Sequence, residues 1–155
     1  MNRYEQLRDV VAMTADNTTK AKPFRILEIG GYRGERARLM IAEATKRGRP
    51  EIHYFGFDLF EEWEPKVNAI EGGKTKPPFS VAEFEKVLRS GTKVKVVNLF
   101  RGNTRQTLPD NVPGLPPMDI IFIDGGLSID TIRNDVMQSL QVLAPKGVMI
   151  LDDYY

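Results

Sequence analysis

A chain of 155 residues has the size of one domain and is long enough to bury a substantial core. With 22 basic against 21 acidic side chains, its bulk charge gives no hold on nucleic acid or on a membrane surface. Cysteine is absent, which excludes disulfides and thiolate metal sites, and no run approaches the ~20 apolar residues of a membrane span. The N-terminus lacks the apolar core of a signal peptide. The expectation is a cytoplasmic chain that binds neither nucleic acid nor membrane.

Residues 3–13 place Tyr4, Leu7, Val10 and Val11 at helical spacing and predict an amphipathic opening helix. The polar DNTTKAKP leads into FRILEI, a short apolar strand that Gly30 stops. From Gly34 onward, Ala37, Leu39, Met40, Ile41 and Ala44 mark a helix, which Gly48 and Pro50 close. The run IHYFGF reads as a second strand ending at Asp58. Residues 59–79 break the rhythm, being charged, longer than an ordinary connection and rich in Gly-Gly and Pro-Pro, and so form a candidate lid. Ser80 and Glu83 have capping-box spacing and open a helix through about residue 90. KVKVVNLF is a third strand, and RGNTRQTLPDNVPGLPP is a turn, with room for a single helical turn, before a proline-rich link. MDIIFID is apolar almost throughout, as in a strand buried on both faces. Ser128 can cap a helix whose Ile129, Ile132, Val136, Leu140 and Leu143 share a face; APKG ends it, and VMILDD is the last strand.

Strands alternating with helices predict a parallel sheet covered on both sides, in one domain over residues 1–155 without repeats. In such sheets, ligands bind beyond the carboxyl ends of the strands. The segment EIGGYRG, with Gly30, Gly31 and Gly34, lies at such an end, where glycine lets the backbone turn tightly and a ligand come close. Asp58, ending the second strand, can accept hydrogen bonds from both hydroxyls of a ribose. The junction therefore suits a cofactor that contains a nucleoside. The nicotinamide fingerprint is not met, because Tyr32 stands where its second glycine belongs. GGKT at 72–75 is no phosphate loop either, since Asn68 occupies the required glycine position and no strand precedes it. The basic cluster Arg33, Arg36, Arg38, Lys46, Arg47 and Arg49 reads as a solvated helix face rather than a phosphate patch.

LEIGGYRGERA resembles the cofactor loop of class I S-adenosylmethionine-dependent methyltransferases, above all the E-[IL]-G-x-Y-x-G branch of catechol-type O-methyltransferases. Similarity continues through YFGFDLFE, GNTRQTLP and FIDGGLSIDTIRNDV…LAPKGVMILDDYY, over about residues 24–155. The last stretch is similar to a signature of a bacterial family that includes sugar O-methyltransferases. The expected fold is α/β, a Rossmann-like, doubly wound, mainly parallel sheet of about five strands in the order 3-2-1-4-5. The resemblance implies methyl transfer from S-adenosylmethionine to a hydroxyl of a small-molecule acceptor that is a sugar, a polyol or catechol-like. It implies that Glu28 orders the loop or faces the methionine amino group. Gly30, Gly31 and Tyr32 would line the methionine end, and Gly34 would bind the cofactor with them. Asp58 would hold the ribose, with Leu59 or Phe60 against the adenine and Gly102, Asn103 and Thr104 along the adenine edge. Asp124 would face the cofactor's amino-acid end or a metal.

Asp124, Asp152 and Asp153 end two apolar runs expected to be neighbouring parallel strands. Three converging carboxylates repel one another without a cation, and oxygen ligands suit Mg²⁺ or Ca²⁺. Catechol-type methyltransferases bind Mg²⁺ through acids at similar places, where the ion lowers the pKa of a substrate hydroxyl and orients it. The alternative role for these acids is capping, or accepting from cofactor and backbone.

Two departures from the family pattern bear on activity. Leu127 stands where the signatures have His or Lys, and leucine takes no proton. His53, the one histidine, lies inside the second strand, where a structural role is expected, so the base would be a metal-bound oxygen, Asp152 or Asp153, or an acid of the lid. The chain also stops at Tyr155, where the family fold continues with a helix and an antiparallel strand pair. The expectation is a truncated form, or a partner such as a second copy covering the open sheet edge. The rival reading is a catalytically silent S-adenosylmethionine-binding module that works through protein partners.

Overall fold

Strands β1 (Phe24–Ile29), β2 (Ile52–Asp58), β3 (Val94–Arg101), β4 (Met118–Ile123) and β5 (Leu143–Leu151) form one sheet in the order β3-β2-β1-β4-β5. Every pairing is parallel, as the alternation of strands and helices predicts, and no antiparallel pair occurs among the described residues. The coordinates are a computed structural model that describes residues 3–66 and 79–152. Most of the predicted lid, and Asp153 of the predicted acid cluster, lie outside the described residues.

The helices are α1 (Arg3–Asn17), α2 (Glu35–Lys46), α3 (Val81–Arg89), α4 (Thr104–Asn111) and α5 (Ile129–Leu140). Short 3-10 turns occupy Phe60–Glu62 and Val112–Gly114. On one face of the sheet, Phe24, Ile26, Tyr54 and Phe122 pack against Leu7 and Val11 of α1, Met40 and Ile41 of α2, and Phe84 and Leu88 of α3. On the other face, Leu27, Ile29, Phe55, Phe57 and Ile121 meet Leu108 of α4 and Val136 of α5. The central strand β1 thus alternates between two buried faces, which explains its nearly continuous apolar run. Among the described residues, no helix is long and apolar enough to cross a membrane.

Four elements differ from expectation. Helix α1 runs on to Asn17 because Ala12, Thr14 and Ala15 are buried, and the Thr14 hydroxyl donates to the Val10 carbonyl at 2.8 Å. Helix α4 has 8 residues rather than a single turn. Asn103 caps its start by accepting from the Arg105 N–H at 2.9 Å, and Pro109, which has no N–H to give, comes close to its end.

In α5, the buried face is Thr131, Asp135 and Ser139, whereas Ile129 is 82% and Leu140 48% exposed. The Ser128 cap sets this phase by accepting from the Thr131 N–H, and Asn134 ties the helix to α4 by donating to the Thr104 carbonyl at 3.1 Å. Leu143 belongs to β5, not to the helix, and APKG bulges within that strand between the pairings Met118–Leu143 and Ile120–Val148. Pro145 is tolerated there because β5 is an edge strand.

Candidate cofactor and active site

Each strand of the central sheet hands its last hydrogen bond to the residue just beyond its neighbour's end. Gly30 donates to the Phe57 carbonyl at 2.9 Å, Gly102 to Asp58 at 2.9 Å, Asp124 to Ile29 at 2.8 Å and Asp152 to Ile123 at 2.9 Å. The ladder thereby fixes in one row the strand-end residues on which the sequence motifs fall. Gly30 has φ +84°, and a Cβ on it would lie 2.0 Å from the Asp124 carbonyl oxygen. Only glycine allows the turn after β1 to touch the turn after β4.

Asp58 ends β2 with both carboxylate oxygens engaged by backbone. Oδ2 accepts from the Tyr32 N–H at 2.8 Å and Oδ1 from the Leu59 N–H at 2.7 Å. Tyr32 has φ +48°, a left-handed conformation costly for a side-chain-bearing residue, and its bond to Asp58 helps to hold it. A carboxylate offers about four acceptor positions, so two remain after these bonds. Of the two side chains expected against an adenine, Leu59 is half-buried at the edge, whereas Phe60 turns into the core and meets Phe84 edge-on at 5.4 Å between centroids. Gly102 lies where a Cβ would come within 3.3 Å of Glu62, itself paired with Arg101 at 3.2 Å. Asn103, exposed, caps α4, and Thr104, half-buried, begins it.

Glu28 of β1 is wholly buried. Its Oε2 accepts a short hydrogen bond from the Tyr54 hydroxyl, and its Oε1 has no hydrogen-bond partner. Burial pushes its pKa up to about 8; the Tyr54 bond and the Arg36 charge oppose that, and the charges of Asp58 and Asp124 add to it. Burial, with Glu28 beside it, likewise raises the Tyr54 hydroxyl well above the ordinary phenol range.

The pair forms because Gly56 has no side chain, since a Cβ there would lie 2.8 Å from Cε1 of Tyr54 and 3.2 Å from its hydroxyl. Gly56→Ala should therefore displace the Tyr54 ring and destabilise the fold by about 1–3 kcal/mol, read from urea unfolding midpoints at constant m.

Asp124 and Asp152 do converge, as their strand ends predict, but a guanidinium lies between them. Arg36 of α2 places Nη1 at 2.5 Å from Oδ2 of Asp124 and Nη2 at 3.3 Å from Oδ2 of Asp152. Its guanidinium carbon stands 5.7 Å from the centre of the Phe122 ring. Among the described residues, no three His, Cys, Asp or Glu side chains group as a metal site. The two acids do not fit the predicted Mg²⁺, because their facing oxygens already hold a cation.

Arg36 was grouped with a solvated face from the sequence, although it is only 15% exposed. A signal was available: an arginine in the first turn of a helix opposes the helix dipole and calls for acidic partners. Phe84 was also missed as a wall of the glycine turn, where a Cβ on Gly31 would lie 2.7 Å from its ring and one on Gly34 would lie 3.5 Å from it. Leu127, in the loop after β4, is 44% exposed. His53 pairs with Glu51 at 2.6 Å near the opposite end of β2.

The fold has solved counterparts. The O-methyltransferase NovP superposes with a TM-score of 0.76 at 19% identity, covering 98% of this chain and 64% of that one. The O-methyltransferase TomG from Streptomyces achromogenes, in complex with SAM, gives 0.61 at 17% identity, covering 96% of this chain and 54% of that one. The SAH-bound methyltransferase PaMTH1 from Podospora anserina gives 0.51 at 27% identity, covering 92% of this chain and 50% of that one. This chain thus spans half to somewhat under two thirds of their lengths. Among curated proteins, none matches the sequence significantly. Residues 27–154, most of the chain, match a protein family described as a methyltransferase domain, and with its five-stranded parallel sheet the chain belongs to that family, within the class I S-adenosylmethionine-dependent methyltransferases.

Proposed function

We propose that this chain binds S-adenosylmethionine across the carboxyl edge of β1, β2 and β4 and directs its methyl group to a hydroxyl of a small molecule, of the sugar, polyol or catechol class. The observation that carries the reading is the Asp58 carboxylate, fixed by the Tyr32 and Leu59 amides beside the glycine turn. Its two remaining acceptor positions suit the two hydroxyls of a ribose. Glu28 Oε1, buried without a hydrogen-bond partner, suits the methionine ammonium, whose charge would favour the ionised acid that burial otherwise disfavours. NovP and TomG, both described as O-methyltransferases, support transfer to an oxygen, and the SAM in TomG supports the cofactor.

When bound, S-adenosylmethionine supplies a methyl group on a positively charged sulfur. The residues of this chain hold and orient it. Asp58 anchors the ribose, Glu28 the amino group, and the tight turn at Gly30 keeps the β1 and β4 ends in contact. Asp124 and Asp152, at the ends of the next two strands, are the described acids assigned to receive the acceptor's hydroxyl proton as its oxygen bonds to the methyl carbon and the sulfur–carbon bond breaks. Calorimetry should show one S-adenosylmethionine bound per chain and none of NAD; preference for NAD would end the reading.

Leu127, exposed where the resemblance places His or Lys, favours a second reading, a silent cofactor-binding module. Turnover of methyl-labelled cofactor against sugars and catechols separates the two. Methylated product supports the enzyme, and tight binding without product supports the module.

A further inference from the structure

Arg36 sits in a place that electrostatics alone would not choose. It belongs to the first turn of α2, where the unpaired backbone N–H groups already carry partial positive charge. It is also largely withdrawn from water, which disfavours a lone guanidinium. What offsets both costs is the pair of acids from two different strands, Asp124 beyond β4 and Asp152 beyond β5, each offering its Oδ2 to a separate nitrogen of the same planar group. The Phe122 ring flanks the guanidinium from β4, and Asp124 and Asp152 are only 13% and 16% exposed.

A divalent ion bound by these acids would need carboxylate oxygens at about 2.0–2.6 Å, with further oxygens filling a shell around it. The Oδ2 atoms that would begin such a shell stand at 2.5 and 3.3 Å from guanidinium nitrogens. Two cations cannot share that gap, and a double charge beside a permanent single one in a half-buried site is strongly repelled. We infer that Arg36 is the resident counter-cation of the Asp124–Asp152 pair, that it takes the place of a divalent metal there, and that its removal turns the pair into a divalent-cation site. The inference concerns the same edge as the methyl-transfer reading, but its readout is metal binding without S-adenosylmethionine, so either can fail without the other.

The test is titration with Mn²⁺ alone, followed by the electron paramagnetic resonance of the free ion. Wild type, Arg36→Lys, Arg36→Met, and Arg36→Met combined with Asp124→Asn are compared, with thermal melts to establish that each is folded. Wild type and Arg36→Lys should take up no stoichiometric Mn²⁺ through the millimolar range. Arg36→Met, which keeps length but no charge, should bind one ion more than about tenfold tighter, and adding Asp124→Asn should abolish that gain. Stoichiometric binding by wild type that Asp124→Asn removes would overturn the inference, as would a folded Arg36→Met no tighter than wild type. If Arg36→Met does not fold, Arg36→Gln takes its place with the same expected gain, and specific uptake by wild type that Asp124→Asn removes still overturns the inference.

Discussion

Asp58→Ala is expected to weaken S-adenosylmethionine binding about 100-fold, measured by calorimetry, because two hydrogen bonds to a charged acceptor at about 1.5–3 kcal/mol each are lost, with part regained by water. The variant also strips the acceptors from the Tyr32 and Leu59 amides, so some loss would come from loosening the loop. Competition by nucleosides separates the two effects. Wild type should prefer adenosine over 2′-deoxyadenosine, and Asp58→Ala should bind both alike. If the variant weakens binding yet keeps the preference, the ribose is held elsewhere. Asp58→Asn, which retains one carbonyl acceptor, should fall between, at roughly a tenfold loss.

The second large effect is a dependence of stability on pH. Glu28 has a folded pKa of about 8 against 4.5 for the free side chain. Between those values the folded chain holds a proton that the unfolded chain has released, so the stability of the wild type falls as pH rises from about 4.5 to about 8, then levels. Glu28→Gln keeps an acceptor for the Tyr54 hydroxyl and cannot ionise. At pH 8 it should be more stable than wild type by a few kcal/mol, a melting temperature higher by about 5–10 °C, with the difference vanishing near pH 4. A constant difference across that range would mean that Glu28 is not the titrating group. The same variant should bind S-adenosylmethionine more weakly, since an amide is a poorer partner than a carboxylate for an ammonium.

The parallel sheet and the residues at its carboxyl ends were legible from short-range patterns, whereas the order of the five strands came from the family resemblance, since the same alternation serves other doubly wound orders. Apolar runs of strand length ended in Gly30, Asp58 and Asp124, and the alternation with helices called for parallel pairing. Asp58 could be read as a binding residue because its place at the end of β2 depends only on the length of that strand. Side-chain direction was less legible. Phe60 lies only two residues beyond Asp58, yet its φ of +50° swings it against Phe84, a contact between segments far apart in the sequence. The phase of α5 was misread because apolar spacing favoured Ile129 and Leu140. The helix instead buries the small Thr131 and Ser139, which admit a close approach. The union of Arg36 with Asp124 and Asp152 joins three elements, and no local pattern encodes it beyond the misfit of an arginine at a helix start.

The contact between Gly30 and the Asp124 backbone has a mechanical consequence. No side chain lies between the two turns, so the turn after β1 and the turn after β4 meet main chain to main chain. On the proposed function, the spacing between the cofactor's end of the site and the acceptor's end would be set by main chain, and substitutions in the surrounding side chains would change what is bound more readily than that spacing.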